Sequence, residues 1–407
     1  MSGEPITIAR EQLDSEAMIV FLQQLVRTPS VYLPGVPGAN ESAAALLVAD
    51  LLRSWGWNVL VEEAAPGRPN VIAELSGSRG AGPLLLMEGH TDVVTPGDHS
   101  AWSDDPFSGT IIAGRLYGRG AVDMKGGLAA MLFAGRAIQL AGAPFAGTLR
   151  LLIPVDEEGM MLGIKQIVAG GYAQGALGCI VCEPEGGEVC VAQKGSLRLH
   201  LRSYGRIAHG AMPARGVNAL SGLVRWLNLI LDLERELNAA YPAHPLLGPL
   251  YISPTVAVAG DSAQINVLPG FAEAYLDIRS IPAISHHMLI ERIKHCAAHV
   301  CAGCPEFRFD LSVIDDRPAT EIDPEHRLVR AVRHAHQRIY GAVPPLGGVP
   351  GSTDGTILVR DGGVPVVVYG PGDKWLPHQP DECIVLADVV RAAQVYIVAV
   401  LDLFGAE

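Results

Sequence analysis

Short apolar runs that end in an acidic residue or a histidine limit how this chain can fold more than any other feature of its sequence. The run Leu84–Met87 ends just before His90, and similar runs at 149–155, 177–182 and 364–369 lead into polar residues. A short apolar run bounded by turn residues is typical of a buried strand in a parallel sheet. Because ligands bind beyond the carboxyl ends of such strands, the polar residues are predicted to share one edge of the sheet.

Five apolar strands are predicted to bring potential metal ligands to this edge. The residues delivered are His90, Asp123, Glu157 with Glu158, Glu183 and His378. Two histidines and several carboxylates suit one or two divalent ions such as Zn²⁺, and suit Co²⁺ or Mn²⁺ less well. One carboxylate is then left over to act as a base. Residues two apart in a strand point to the same face, so Asp92 is predicted to fix the tautomer of the His90 imidazole.

Asp123 lies in a glycine-rich loop, Gly118–Gly127, that leads into a predicted helix at 128–140. The loop matches neither of the phosphate-binding templates. Asp123 is therefore interpreted either as a metal ligand on a tightly packed loop or as the N-cap of the helix. A second possible metal pair, His295 and His299 at helical spacing, is interpreted as surface because no acidic partner is identified for it.

The length and the charge of the chain bear on the class of protein. A chain of 407 residues is expected to form two domains, and its 49% hydrophobic content is ample for a large core. The net charge of −13 argues against binding to nucleic acid or to an anionic membrane surface. The first ten residues carry no apolar signal core, and no apolar run approaches transmembrane length. We therefore expect a soluble cytoplasmic protein that acts on a small molecule.

Taken in order, the motifs of this chain resemble those of the M20 metallopeptidase family, and most of all its acetylornithine deacetylase and succinyl-diaminopimelate desuccinylase branch. The resemblance extends from about Ser15 to the C-terminus. The motifs that carry it are Gly89-His90-Thr91-Asp92, Gly118-Arg119-Gly120 with Asp123-Met124-Lys125-Gly126-Gly127, Asp156-Glu157-Glu158, Glu183-Pro184 and His378-x-Pro380-x-Glu382.

This resemblance implies a site for two zinc ions. His90 and Glu183 would bind one ion. Glu158 and His378 would bind the other, and Asp123 would bridge the two. The resemblance also implies a cis peptide bond after Asp123.

The resemblance further implies an α/β fold like that of zinc exopeptidases, in which a mixed, mostly parallel sheet is sandwiched by helices and an α+β lid is inserted. Residues 194–317 differ in composition from their flanks, with alternating strands and two long helical patterns at 218–238 and 285–301. The predicted domains are the first part of the catalytic domain at 1–193, the inserted lid and dimerisation domain at 194–317, and the second catalytic part at 318–407. A homodimer through the insert is expected.

Four residues match positions on the substrate side of the family's site: His209, Asn266, Arg279 and Ser352. His209 would stabilise the oxyanion, often across the dimer interface. The Arg279 fork suits an α-carboxylate. The alternatives are a surface arginine and an asparagine in a core strand.

The predicted function is metal-dependent hydrolysis of the amide bond of an N-acyl amino acid. Glu157 would act as general base, taking a proton from a zinc-activated water and returning it to the leaving amine. The apolar segment Gly159–Gly163 departs from the small or polar residues usual in the family, and hints at a larger or more apolar acyl group. A di- or exopeptidase or carboxypeptidase of the M20 type is the alternative within enzymes. A non-catalytic binding protein on the same fold is a remote alternative, because Glu157 stands beside a full ligand set.

Overall fold

A computed structural model of this chain describes residues 4–405, which divide into two compact units. Among these residues, the first unit is built from 4–191, 322–347 and 353–405. The second unit is built from Ala192–Glu321 and Gly348–Ser352. The lid predicted at 194–317 falls within the second unit.

Within residues 4–405 there are ten α-helices. In chain order they are α1 (Glu4–Glu11), α2 (Ser15–Val26), α3 (Ser42–Ser54), α4 (Gly126–Leu140), α5 (Leu162–Ala169), α6 (Ala219–Ala240), α7 (His286–Gly303), α8 (Arg327–Tyr340), α9 (Gly355–Arg360) and α10 (Leu386–Leu403). None of the helices in this part of the chain is long and apolar enough to cross a membrane.

The same residues form eighteen strands. They are β1 (Asn58–Ala65), β2 (Arg68–Ser76), β3 (Leu84–Glu88), β4 (Thr110–Ile112), β5 (Arg115–Tyr117), β6 (Thr148–Ile153), β7 (Ala176–Val181), β8 (Val189–Gln193), β9 (Gly195–Tyr204), β10 (Ala208–His209), β11 (Tyr251–Ala259), β12 (Val267–Leu268), β13 (Phe271–Ser280), β14 (Arg308–Arg317), β15 (Thr320–Glu321), β16 (Leu346–Val349), β17 (Val366–Val368) and β18 (Cys383–Val385).

The sheet of the first unit runs in the order β1-β2-β6-β3-β7-β17-β8. Its middle strands β6, β3, β7 and β17 are mutually parallel, whereas β1 and β2 on one side and β8 on the other are antiparallel to their neighbours. The sequence therefore predicted the mixed, mostly parallel sheet correctly. Strands β3 and β17 are buried almost throughout, which explains why they read as continuous apolar runs.

Two helices of the first unit, α4 and α10, are apolar on most of their surface and pack against each other. A helix that is apolar all round must be covered on all sides, so this pair lies in the core beside the sheet. The N-terminal end of α4 begins at Gly126, directly after the loop that contains Asp123. The core therefore fixes where that loop is presented.

The second unit has a four-stranded antiparallel sheet in the order β11-β13-β9-β14. Strands β9 and β13 alternate between buried and partly exposed residues, so one face packs under α6 and α7. Both helices begin at capping side chains, with Asn218 accepting the N–H of Ser221 and Ser285 accepting the N–H of Met288.

Candidate metal centre

His90 follows β3 and is completely buried. Its Nε2 lies 3.3 Å from Oε1 of Glu183, 3.5 Å from Oδ1 of Asp123 and 4.0 Å from Oε2 of Glu157. Glu183 follows β7 and Glu157 follows β6, the two strands that flank β3. Neighbouring parallel strands thus bring these side chains to one edge, as the apolar runs predict.

His378 brings the remaining predicted ligands together. Its Nε2 lies 2.9 Å from Oε1 of Glu158 and 3.3 Å from Oδ2 of Asp123. The other oxygen of Asp123 faces His90. The two carboxylate oxygens of Asp123 therefore point toward different imidazoles.

Asp123 lies on a loop and not at the end of a central strand, as the glycine-rich stretch around it indicates. This residue lies in an irregular segment, Ala121–Lys125, between β5 and α4, and the Asp123–Met124 peptide bond is cis. The segment is held by Glu382, whose Oε1 accepts the N–H groups of Val122 at 3.0 Å and Asp123 at 3.2 Å. Loop packing, and not the sheet, places this carboxylate.

Arg119 and Glu382 form a buried ion pair that the sequence did not assign a role. The Nη2 of Arg119 also donates to the backbone carbonyl of His378 at 3.2 Å. Glu382 thus holds the Asp123 loop while its partner holds the His378 loop. Both residues belong to the family motifs of the sequence, and this membership is what could have indicated a role for them.

Asp92 contacts the Glu157–Glu158 turn in addition to the His90 imidazole that it was predicted to orient. Its Oδ1 is 3.5 Å from Nδ1 of His90, and its backbone carbonyl is 3.1 Å from the same nitrogen. Its two carboxylate oxygens also accept the N–H of Glu157 at 3.1 Å and of Glu158 at 2.9 Å. Asp92 therefore links the His90 strand end to the Glu157–Glu158 turn.

Lys125 is a third buried residue whose contacts the sequence did not indicate. Its Nζ donates to the backbone carbonyls of Leu25 and Thr28, at 2.9 Å in each case. Burial lowers the pKa of the ammonium to about 7. Lys125 ties the start of α4 to the end of α2 beneath the Asp123 loop.

The carboxylates of the cluster are crowded and buried, which disfavours their charged forms. Burial raises the pKa of Glu183 to about 8 and raises the pKa of Glu157 well above its ordinary value. Burial also raises the pKa of Glu158, and the charge of Asp123 adds to the effect. Burial opposes the charge of Asp123 too, but the neighbouring imidazoles of His378 and His90 hold its pKa below the ordinary value. A bound cation would relieve this crowding.

The residues present fit divalent metal ions. Nε2 of His90 is buried and makes no hydrogen bond to any residue in the described part of the chain, although carboxylates surround it. Imidazole nitrogens and carboxylate oxygens are the donors that zinc-class ions take. Two groups of donors, each within 4.8 Å of one another, could each hold an ion: His90 with Glu157 and Glu183, and Asp123 with Glu158 and His378.

The other predicted site residues lie in the second unit. His209 is exposed on β10, where its Nδ1 accepts the N–H of Ala211, and its neighbour Gly210 donates its N–H to the carbonyl of Asn266. Ser352 lies in the segment Gly348–Ser352. The roles of these residues stay predictions.

Arg279 on β13 already has a carboxylate partner. Its Nε and Nη2 donate to the two oxygens of Asp277, at 2.6 and 3.1 Å. A substrate carboxylate would have to compete with, or share, this partner. Its substrate role also stays a prediction.

Comparison with known proteins shows the family to which this chain belongs. The sequence model of peptidase family M20/M25/M40 matches residues 86–402 of this chain. The chain therefore belongs to this family of metal-dependent hydrolases. A succinyl-diaminopimelate desuccinylase from Methylobacterium radiotolerans is 31% identical over 394 residues, which are 94% of this chain and 95% of the relative. The family resemblance of the motifs is thereby confirmed.

Solved structures show the same fold. The M20 family metallo-carboxypeptidase Sso-CP2 from Sulfolobus solfataricus superposes with a TM-score of 0.78 at 21% identity, covering 96% of this chain and 99% of that protein. The YXEP protein of Bacillus subtilis, described as a dinuclear metal-binding peptidase of the M20 family, gives a TM-score of 0.72 at 16% identity, covering 97% and 99%.

Proposed function

We propose that this chain removes the acyl group from an N-acylated amino acid by metal-dependent hydrolysis of the amide bond. The observation that carries the proposal is the position of Glu157. Of the three carboxylates that surround Nε2 of His90 it is the most distant, at 4.0 Å, so both metal sets can be completed without it. A carboxylate beside a metal site that is not itself needed as a ligand is suited to act as a general base.

In this proposal His90 and Glu183 would hold one ion. Glu158 and His378 would hold the other, and Asp123 would contribute to both. The divided orientation of the Asp123 oxygens supports the bridging role. Zinc is the proposed metal, because this set of imidazole and carboxylate donors suits it better than Co²⁺ or Mn²⁺; when bound, such ions would polarise a carbonyl group and lower the pKa of a water molecule.

The side chain of Glu157 accepts the proton of the attacking water and then donates it to the leaving amine. Burial raises the pKa of Glu157, and a carboxyl group of raised pKa can donate a proton as well as accept one. Asp92 keeps the backbone of Glu157 and Glu158 in place through its two hydrogen bonds. The proposal that the substrate is an N-acyl amino acid is supported by relatives named succinyl-diaminopimelate desuccinylase. These relatives match over nearly all of the chain.

The second unit is proposed to form a homodimer. Strand β11 is at the edge of its sheet and is exposed along most of its length, with Val256 and Val258 about half exposed. A long apolar edge strand is a template for pairing with another chain. His209, Arg279, Asn266 and Ser352 are proposed to serve the substrate, with His209 acting at the partner's metals. A cytoplasmic location stays a prediction.

A hydrolysis screen tests the function. Purified protein is offered N-acetyl, N-succinyl, N-formyl and aromatic N-acyl amino acids beside dipeptides, and kcat/KM is measured for each. We expect an N-acyl amino acid to be the best substrate, with Glu157→Gln inactive as the control for contaminating enzymes. Faster cleavage of dipeptides would replace the proposal with a peptidase.

A further inference from the structure

A buried arginine, Arg68, lies between two carboxylates behind the turn that presents Glu157. Arg68, Glu41 and Asp156 are each less than one-tenth exposed. Nη2 of Arg68 donates to Oδ1 of Asp156 at 2.6 Å, and its Nε donates to Oε2 of Glu41 at 3.0 Å. The guanidinium also stacks on the ring of Tyr32, with 3.5 Å between Cζ and the ring centroid. This triad fixes the Asp156 carboxylate in one place.

The Asp156 carboxylate in turn shapes the chain after Glu158. Its second oxygen accepts the N–H groups of Met160 at 3.0 Å and Leu162 at 3.2 Å. Asp156 itself has the positive φ of 70°, which disfavours a residue with a side chain unless its contacts hold it there. A Cβ on Gly159 would lie 2.5 Å from Oδ1 of Asp156, so the carboxylate and the turn fit each other closely. The backbone that carries Glu157 therefore starts from an anchored residue.

Stability alone does not call for an ionic triad at this place. Buried ion clusters can often be replaced by neutral residues of similar volume at little or no loss of stability. A turn that carries a reacting group has a stricter need, because misplacement by 1 Å can cost about 10² in rate. Arg68 meets that need, since its planar fork engages both carboxylates in fixed directions.

We propose that Arg68, held by Glu41, is a positioning residue: it locks Asp156 and so sets where the Glu157 carboxylate lies. The inference rests on the proposed role of Glu157 as general base. Asp92 also holds this turn, through the N–H groups of Glu157 and Glu158. Two separate anchors on one turn restrict how far it can shift.

The test removes the charges without leaving any of them unpaired. In the triple variant Glu41→Gln/Arg68→Met/Asp156→Asn the whole triad becomes neutral. Its matched control is Glu74→Gln/Arg150→Met, which neutralises an ion pair between the same strands, β2 and β6, at the far end from the site. Stability, kcat, KM, metal content and the visible spectrum of the Co²⁺-loaded protein are measured for both.

We expect the triple variant to keep its melting temperature within a few degrees and its KM within about twofold, but to lose at least about tenfold in kcat. Its Co²⁺ absorption bands should shift, because Glu158 belongs to the same turn. The control should match the wild type in every measurement. Wild-type kcat and spectrum in the triple variant would overturn the proposal.

Two further measurements test the proposal if the triple variant does not fold or if no activity is found. If the triple variant does not fold, Asp156→Asn alone is measured, with the same expected loss of kcat and shift of the Co²⁺ bands; wild-type values overturn the proposal. If the wild type hydrolyses no N-acyl amino acid, the proposed function has failed. The Co²⁺ spectrum then decides the positioning role by itself.

Discussion

The carboxylate of Asp123 lies 3.3 Å from Nε2 of His378, where the loop before α4 meets the loop after β17. Neither loop is part of the sheet, and the buried pair of Arg119 and Glu382 holds both of them. The geometry of one predicted metal position therefore depends on a pair of residues that are not among its predicted ligands.

Replacing Arg119 with methionine should weaken metal binding by about 10- to 100-fold, because residues behind the ligands have effects of that size. The variant removes the hydrogen bond to the backbone carbonyl of His378 and leaves Glu382 buried without its ion-pair partner, so the His378 loop loses its anchor. Competition titration with a chelating dye measures the affinity. Arg115→Met, at an exposed position on β5, is the control and should bind metal like the wild type. Equal affinities for the two variants would contradict the anchoring role.

Glu157→Ala should retain its metal ions and lose at least about 10² in kcat, because the residue is proposed as base and not as ligand. His90→Ala should lose metal and activity together, since His90 is a proposed ligand. Elemental analysis and steady-state kinetics on both variants separate the two roles. Near-normal turnover by Glu157→Ala would show that another group is the base.

Protein purified without chelator should contain about two zinc-class ions per chain, because five ligands with one bridging carboxylate fill two sites. Bound metal stabilises the folded state. When the free metal concentration is about a hundred times the Kd of a site, removing the metal from that site should lower the free energy of unfolding by about 2.7 kcal/mol. Elemental analysis and thermal unfolding before and after chelation check both values. Full activity after complete removal of metal would refute a metal-dependent reaction.

The buried side chain of His336 is expected to make the free energy of unfolding depend on pH. It is buried on α8, within 2.8 Å of the Tyr369 hydroxyl, and burial lowers its pKa below the ordinary value of 6.5. As the pH falls, His336 is protonated in the unfolded chain before it is protonated in the folded protein. The neutral His336 side chain therefore contributes fully to the free energy of unfolding above about pH 6.5, and this contribution is lost as the pH falls. His336→Gln should show a smaller loss of unfolding free energy than the wild type between pH 7.5 and 5.5. Parallel losses would exclude this histidine as a source of acid sensitivity.

His209 and Glu157 should complement each other across a dimer. His209→Ala and Glu157→Ala are each expected to be nearly inactive, since an oxyanion donor contributes about 10²–10³ in kcat. After random exchange of subunits, about half of the dimers are mixed, and each mixed dimer has one intact site, so about a quarter of the wild-type activity should return. No recovery, with exchange verified by native mass spectrometry, would mean that His209 does not act at the partner's site.

The parts of the fold that the sequence predicts are those whose signals are local. Apolar runs bounded by turns marked the parallel strands, and alternation marked β9 and β13. The motifs marked His90, Glu183 and His378, whose positions follow from the ends or the loops of those strands.

The parts that the sequence did not predict depend on contacts between distant segments. Nothing in the periodicity of β2 indicates that Arg68 reaches Asp156 beyond the end of β6. Arg279 and Asp277 are a different case: they stand two apart on β13 and face the same side, a relation that the sequence could have shown.

The position of β17 in the sheet has a consequence for how the chain is made. This strand lies between β7 and β8 but is encoded only near the end of the sequence. During synthesis the N-terminal segments leave the ribosome first, and β7, whose last four residues are buried in the finished protein, has no neighbour on that side until residue 368 has emerged. An open apolar strand edge is prone to pair with other chains, so this edge of β7 is open to wrong pairing until β17 covers it.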